Sequence, residues 1–419
     1  MSLPPGQPRV KDQRRLTLPT GDVFPVGMPG RGSARSRWRM WAAVVAVGAL
    51  TATVAVVAAV VFSGASVRSL GVSSRLQSLD LVTATAPEHG AHPQLELVSA
   101  MAPWRAIEPT DDAFDWSQLE ANVADARERG YRLIVRVMAG RVAPPWLADR
   151  GASTIEVYGS DPNAVDHCDV VRAPVPWDPI LVEEYRELLG ALGSWLRGSD
   201  GAGGTRADHV ALVPVAMPTL LGSEMTIAYG PPGVCPAGTA AAGLDLRTAN
   251  RSAWDAVAAE PERQTLLERA WREAIEIHRS TLPPPTASVI AYGHLFDDGQ
   301  AAALRIAADA VAEDPASLWS MYTNLQAKVR PDGTLGPWAE VCPRCHEVLE
   351  AAADAGGGIG FQLATTGAND SLEKLSVAVD GALATYPVGF IEAQPAAIDT
   401  YGAYLLDGPG AVQARILGR

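Results

Sequence analysis

From residue 78 onward the chain alternates short, almost wholly apolar runs with longer stretches whose apolar residues return every three or four positions. The apolar runs are 79–85 (LDLVTAT), 95–103 (LELVSAMAP), 132–138 (RLIVRVM), 209–217 (HVALVPVAM), 287–295 (ASVIAYGHL), 317–325 (SLWSMYTNL), 358–364 (GIGFQLA) and 388–394 (VGFIEAQ). Most lack the in–out alternation of a half-solvated strand, which predicts parallel strands covered on both faces. Helical spacing occupies 117–130, 181–196, 260–278, 300–312, 338–355 and 371–385. The first of these opens on Ser117 and closes on Gly130, a start and a stop in the expected places. Eight strands with helical crossovers in most gaps predict an α/β fold, a (β/α)8 barrel of the TIM type over 78–419. No glycine-rich phosphate loop follows any strand, which weakens an open doubly wound sheet as the alternative.

Upstream, Trp41 to Phe62 (WAAVVAVGALTATVAVVAAVVF) carries no charged side chain. A helix of that length rises roughly 33 Å, enough for a bilayer core. Arg31, Arg35, Arg37 and Arg39 precede it, and the next charge is Arg68. This pattern predicts a disordered basic cytoplasmic tail (1–40), one transmembrane helix (41–63), a linker (64–77) and an extracytoplasmic barrel. The expected localisation is the cell membrane, single-pass, with the bilayer as a partner through 41–63. Ser63-Gly64-Ala65 leaves open a cleaved signal peptide instead.

The 419 residues carry a net charge of −13, and basic residues cluster only near the N-terminus. That excludes nucleic acid as the expected partner of the barrel. Trp is more frequent than Tyr or Phe (11 against 9 and 6). Tryptophan faces serve sugars as stacking platforms, and they also fill cores.

Trp104-Arg105-Ala106-Ile107-Glu108-Pro109, followed by Phe114-Asp115-Trp116, resembles the W-x-x-x-E-P and F-D-W run of barrel glycoside hydrolases, the family-42 β-galactosidases especially. Pro144-Pro145-Trp146-Leu147 and Pro176-Trp177-Asp178-Pro179 are similar to further turns of the same group. The resemblance spans about 95–230 and is architectural beyond. It implies a β-glycosidase with carbohydrate as its substrate, and the family named implies β-galactosidic bonds. It also implies an acid/base glutamate after strand 4, and the matching position is Glu224, with Ser223 where the family has Asn. The family's nucleophile ends strand 7. Here that position reads Phe361-Gln362 and has no carboxylate.

Glycoside hydrolysis needs two carboxyl groups astride the scissile bond. Glu224 is the candidate acid. Glu392, inside an apolar strand, is the candidate second carboxylate, or else an interior glutamate paired with Arg136 or Arg105. Asp297, in the Asp297-Asp298 pair after strand 5, could activate water in an inverting scheme, or cap the following helix. Glu108 reads as structural. Arg136, Asn324 and Gln362 end strands and are candidates to bind sugar hydroxyls. Trp104, Trp146, Trp177 and Trp319 are candidate stacking platforms or core residues. A barrel that has lost its nucleophile and only binds glycan or scaffolds the envelope is the alternative function.

Cys168 and Cys235 lie in the two long loops, 140–180 and 222–260, which follow strands 3 and 4 on one barrel face. A disulfide between them is expected outside the cytoplasm. Cys342-Pro343-Arg344-Cys345-His346 fits a local disulfide, redox-active thiols or, on its C-x-x-C-H spacing, a haem attachment. The expected cofactor is none, and no spacing suggests a metal site.

Overall fold

The computed structural model describes residues 69–75, 92–159, 167–220, 225–227, 229–230, 233–364 and 369–419. Eight strands run β1 Gly71–Arg75, β2 Leu97–Pro103, β3 Arg132–Met138, β4 Val210–Pro214, β5 Ala287–Leu295, β6 Leu318–Leu325, β7 Gly358–Leu363 and β8 Val388–Ala393. All neighbouring pairs are parallel. The ring closes where β1 pairs with β8, Ser73 opposite Glu392, and where β4 pairs with β5, Leu212 opposite Ala287. The expected TIM-type barrel is therefore what the chain forms. Its first strand lies at Gly71–Arg75, in the stretch read as a linker, whereas the candidate strand 79–85 lies outside the described residues.

The membrane expectation is corrected. Among the described residues no helix is long and apolar enough to cross a bilayer. Residues 41–63, on which that expectation rested, lie outside the described residues. The fold class is accordingly a closed parallel barrel with surrounding helices, without a membrane-spanning helix among the residues described. The transmembrane helix, the bilayer partner and the single-pass cell-membrane localisation are not carried further.

Helices follow the strands: α1 Ser117–Arg129, α2 Pro179–Arg197, α3 Leu246–Val257, α4 Glu260–Thr281, α5 Phe296–Glu313, α6 Pro343–Asp354, α7 Leu372–Thr385, α8 Pro395–Leu405 and α9 Val412–Leu417. Their ends obey local chemistry. Asp178 caps α2 by accepting the Ile180 and Leu181 amides, with Pro179 at the first helical position, where a missing N–H costs nothing. Gly130 ends α1 in the left-handed conformation (φ 78°), which glycine adopts without a Cβ clash. The helix expected over 338–355 opens as a separate turn, Trp338–Glu340, and α6 starts afresh at Pro343. A proline imide cannot donate back into the preceding turn, so the chain restarts there.

Inside the ring, side chains stack in layers. Leu70, Leu97, Ile134, Leu212, Val289, Trp319 and Phe390 form the lower, apolar one. Gly358 and Gly360 make room for its two rings: a Cβ at Gly360 would stand 2.1 Å from Phe390, and one at Gly358 2.1 Å from Trp319. One inward step closer to the carboxyl ends, the filling turns polar, with Ser99, Arg136, Gln362 and Glu392.

Candidate active site at the carboxyl rim of the barrel

The polar layer is one connected network. Glu392 of β8 accepts from Arg136 of β3 at both oxygens, Nε to Oε1 at 3.1 Å and Nη2 to Oε2 at 2.6 Å. Gln362 of β7 donates its Nε2 to Oε2 at 2.5 Å, and the Ser99 hydroxyl of β2 donates to Oε1. Glu392 and Arg136 are both 0% exposed. A forked guanidinium–carboxylate pair is the geometry best able to repay desolvation of two charges. So the interior pairing with Arg136 is what Glu392 makes. Glu392 thus engages two of the three side chains, Arg136 and Gln362, that were candidates for sugar hydroxyls.

Above this layer the loops after β2 and β3 interlock through the W-x-x-x-E-P segment. Trp104 opens a one-turn helix directly after β2, and its indole donates to Glu108 Oε2 at 2.8 Å. The Asp112 amide reaches Glu108 Oε1 at 3.2 Å, and the Trp146 indole donates to the Glu108 carbonyl at 3.1 Å. Burial pushes the Glu108 carboxyl above its ordinary range, and the Trp104 bond opposes that. These residues staple two loops together, which is the structural role expected of Glu108.

The tryptophans are mostly packing. Trp104 is fully buried with Tyr185, ring centroids 5.9 Å apart. Trp319 lies in the lower barrel layer against Phe390. Trp146 is half-buried and tied to Glu108. Trp177 is half-buried, 5.7 Å from Trp254, and lines a groove between α2 and α4 outside the barrel mouth. Asn324 is exposed at the carboxyl end of β6.

Glu224 lies outside the described residues. Just beyond it, Met225–Ile227 returns to the sheet as a short strand, pairing with β5 above the point where β4 leaves off. The backbone of Asp297 lies in the first turn of α5, two residues past the end of β5. Both stretches of chain therefore adjoin β5.

Two long loops wall this rim. The first forms an antiparallel hairpin, Thr154–Tyr158 with Val170–Pro174. The second carries α3. The Cys168–Cys235 disulfide joins them as expected, and Asn250 of α3 clamps them, receiving the Tyr158 amide and donating to the Tyr158 and Tyr229 carbonyls.

Ser99 belongs to the polar layer and was not among the candidates read from the sequence. Ser99 is a polar residue on the inward parity of β2, between Leu97 and Met101, and that alternation was the available clue.

No family model and no curated protein matches the chain. Among solved structures it is similar to a GH10 protein from Paenibacillus barcinonensis, at 12% identity over 71% of this chain and 69% of that one, with a TM-score of 0.37. It is also similar to CbXyn10B, at 10% identity over 82% and 89%, with a TM-score of 0.38. An intracellular xylanase from Thermoanaerobacterium saccharolyticum matches at 11% identity over 78% and 85%, with a TM-score of 0.38.

Proposed function

We propose that this barrel is a glycoside hydrolase, with Glu224 as general acid and Asp297 as the group that activates water. The observation that carries the reading is the polar layer of Ser99, Arg136, Gln362 and Glu392 under the rim. A barrel that merely packs fills its layers with branched apolar side chains. Burying an ion pair there costs stability, and such a cost is commonly met at functional ends. The motif residues Trp104, Glu108 and Trp146, which interlock around that rim, lend the glycosidase reading its second support.

In this reading Glu392 does not react, because it is buried and its carboxylate is paired with Arg136. An acid paired with a separate base that activates water is the inverting scheme, in which about 6.5–9.5 Å separates the carboxyl groups. The finer specificity implied by the motifs is for β-galactosides.

A second reading has a specific observation in its favour. The strand-7 position holds Gln362, and Gln362 is spent on Glu392. A barrel so arranged could hold glycan without cleaving it.

One experiment separates the two. The full chain, Glu224→Gln and Asp297→Asn are assayed on aryl β-galactosides, β-xylosides and β-glucosides, and on the matching polysaccharides, with binding measured in parallel. Hydrolysis by the parent, reduced about 100-fold or more in each variant, supports the hydrolase. Binding of a polysaccharide with no turnover by any form supports the non-catalytic barrel, and neither turnover nor binding ends both.

A further inference from the structure

The glycosidase reading leaves Cys342-Pro343-Arg344-Cys345-His346 without a task. The two cysteines form a disulfide across three residues. Cys342 is the N-cap of α6, a helix of 12 residues, and Pro343 is its first residue. The Cys345 amide donates to the Cys342 sulfur at 3.3 Å. Burial of the two sulfur-bearing residues is unequal: Cys345 is 0% exposed, Cys342 is half-buried, and Pro343 and Arg344 between them are exposed. On the other side, His346 bonds the Tyr386 hydroxyl and pairs with Glu350 at 3.4 Å.

This is a different object from the Cys168–Cys235 bridge. That one closes a loop of 67 residues, with both cysteines buried at 1% and 4% exposure. A cross-link over three residues inside one helical turn removes little chain entropy. It is also placed where a thiolate is stabilised, since a sulfur at a helix N-terminus meets a free amide and the positive end of the helix dipole.

We infer that Cys342–Cys345 is a redox-active disulfide that exchanges with external thiols, with Cys342 as the sulfur that is attacked and that attacks. The thiolate of an external thiol bonds to Cys342 Sγ. The Cys342–Cys345 bond breaks, and Cys345 leaves with the electron pair and takes a proton from water. A second external thiolate then attacks the outer sulfur of the mixed disulfide and releases Cys342. In sum two thiols become one disulfide, and the protein disulfide gains two electrons and two protons. Run backwards, the same steps oxidise a dithiol. This inference is independent of any action on sugars.

The test uses the full chain in reduced and oxidised glutathione at graded ratios, with free thiols alkylated and located by mass spectrometry. Cys342–Cys345 is expected to open under native conditions while Cys168–Cys235 stays closed. Once open, Cys342 is expected to alkylate roughly tenfold faster than Cys345. Cys345→Ser is expected to hold glutathione as a mixed disulfide on Cys342, and Cys342→Ser to hold none on Cys345. Since each variant alters one side of a helix end, circular dichroism beside the parent checks that the barrel is intact. The inference fails if both disulfides resist glutathione until the chain is denatured, or if the two single variants trap glutathione equally.

Discussion

Arg136 shows how much a single inward residue decides. Its guanidinium spans the barrel from β3 to grip both oxygens of Glu392 on β8, and neither side chain reaches solvent. Replacing it with methionine keeps the bulk and strands a carboxylate in the interior. The expected cost is about 3–5 kcal/mol, read as a lowered midpoint in urea. The double replacement Arg136→Met with Glu392→Met removes both charges and should recover a large part of that loss. Two variants of equal stability would show that the ion pair is not what holds this layer together. The neighbouring glycines make the same point about shape, because Gly360 exists where the Phe390 ring needs the space of a Cβ.

At the scale of elements, the two walls of the rim depend on one covalent link. Cys168 and Cys235 pack with Ala241 and Leu246 in a small apolar cluster of their own, apart from the barrel core. The Ala241 amide bonds the Cys168 carbonyl at 3.0 Å, so the loops share hydrogen bonds as well as sulfur. Replacing both cysteines with serine should cost about 2–4 kcal/mol. Hydrogen exchange should rise first in Thr154–Tyr158, Val170–Pro174 and α3, ahead of the barrel strands. Uniform loss of protection across all eight strands would argue that the disulfide secures the barrel instead of the walls. The elements themselves were largely legible in the chain. Seven of the eight apolar runs became barrel strands, because strands covered on both faces leave an unbroken apolar record. The first strand was misplaced: Gly71–Arg75 (GVSSR) is short and polar, and its pairing comes from neighbours that only the closed ring supplies. The pairing of Cys168 with Cys235 followed from topology, since both loops leave the same face. The site was less legible. A pairing of Glu392 with Arg136 was one of the readings open from the sequence, but the convergence of Gln362 and Ser99 on the same carboxylate depends on barrel closure, which no local pattern encodes.

For the molecule as a whole, His278 joins the helical shell to the barrel and sets a pH limit on both. It projects from α4 into complete burial, where its Nε2 meets the Tyr185 hydroxyl of α2 at 2.7 Å and its Nδ1 meets Ser288 of β5 at 3.3 Å. Tyr185 in turn accepts the Ala216 amide beyond β4. Burial holds the imidazole pKa down to about 3, against roughly 6.5 in an unfolded chain. Between those values the unfolded chain carries a proton on this residue that the folded chain does not. Stability from this group is therefore complete above about pH 6.5 and declines as the solution is acidified. The slope is on the order of 1 kcal/mol per pH unit, levelling off near pH 3. Carboxylates elsewhere add their own acid sensitivity, so the informative quantity is a difference between two proteins. His278→Gln keeps an amide that can bond Tyr185 and removes the titration. It should be less stable than the parent at pH 7, and the gap should narrow steadily through pH 5 and 4 as the parent alone meets the cost of protonating the core. Urea midpoints at those three pH values decide it: a gap that stays constant would mean that His278 contributes packing and hydrogen bonds but no linkage to pH.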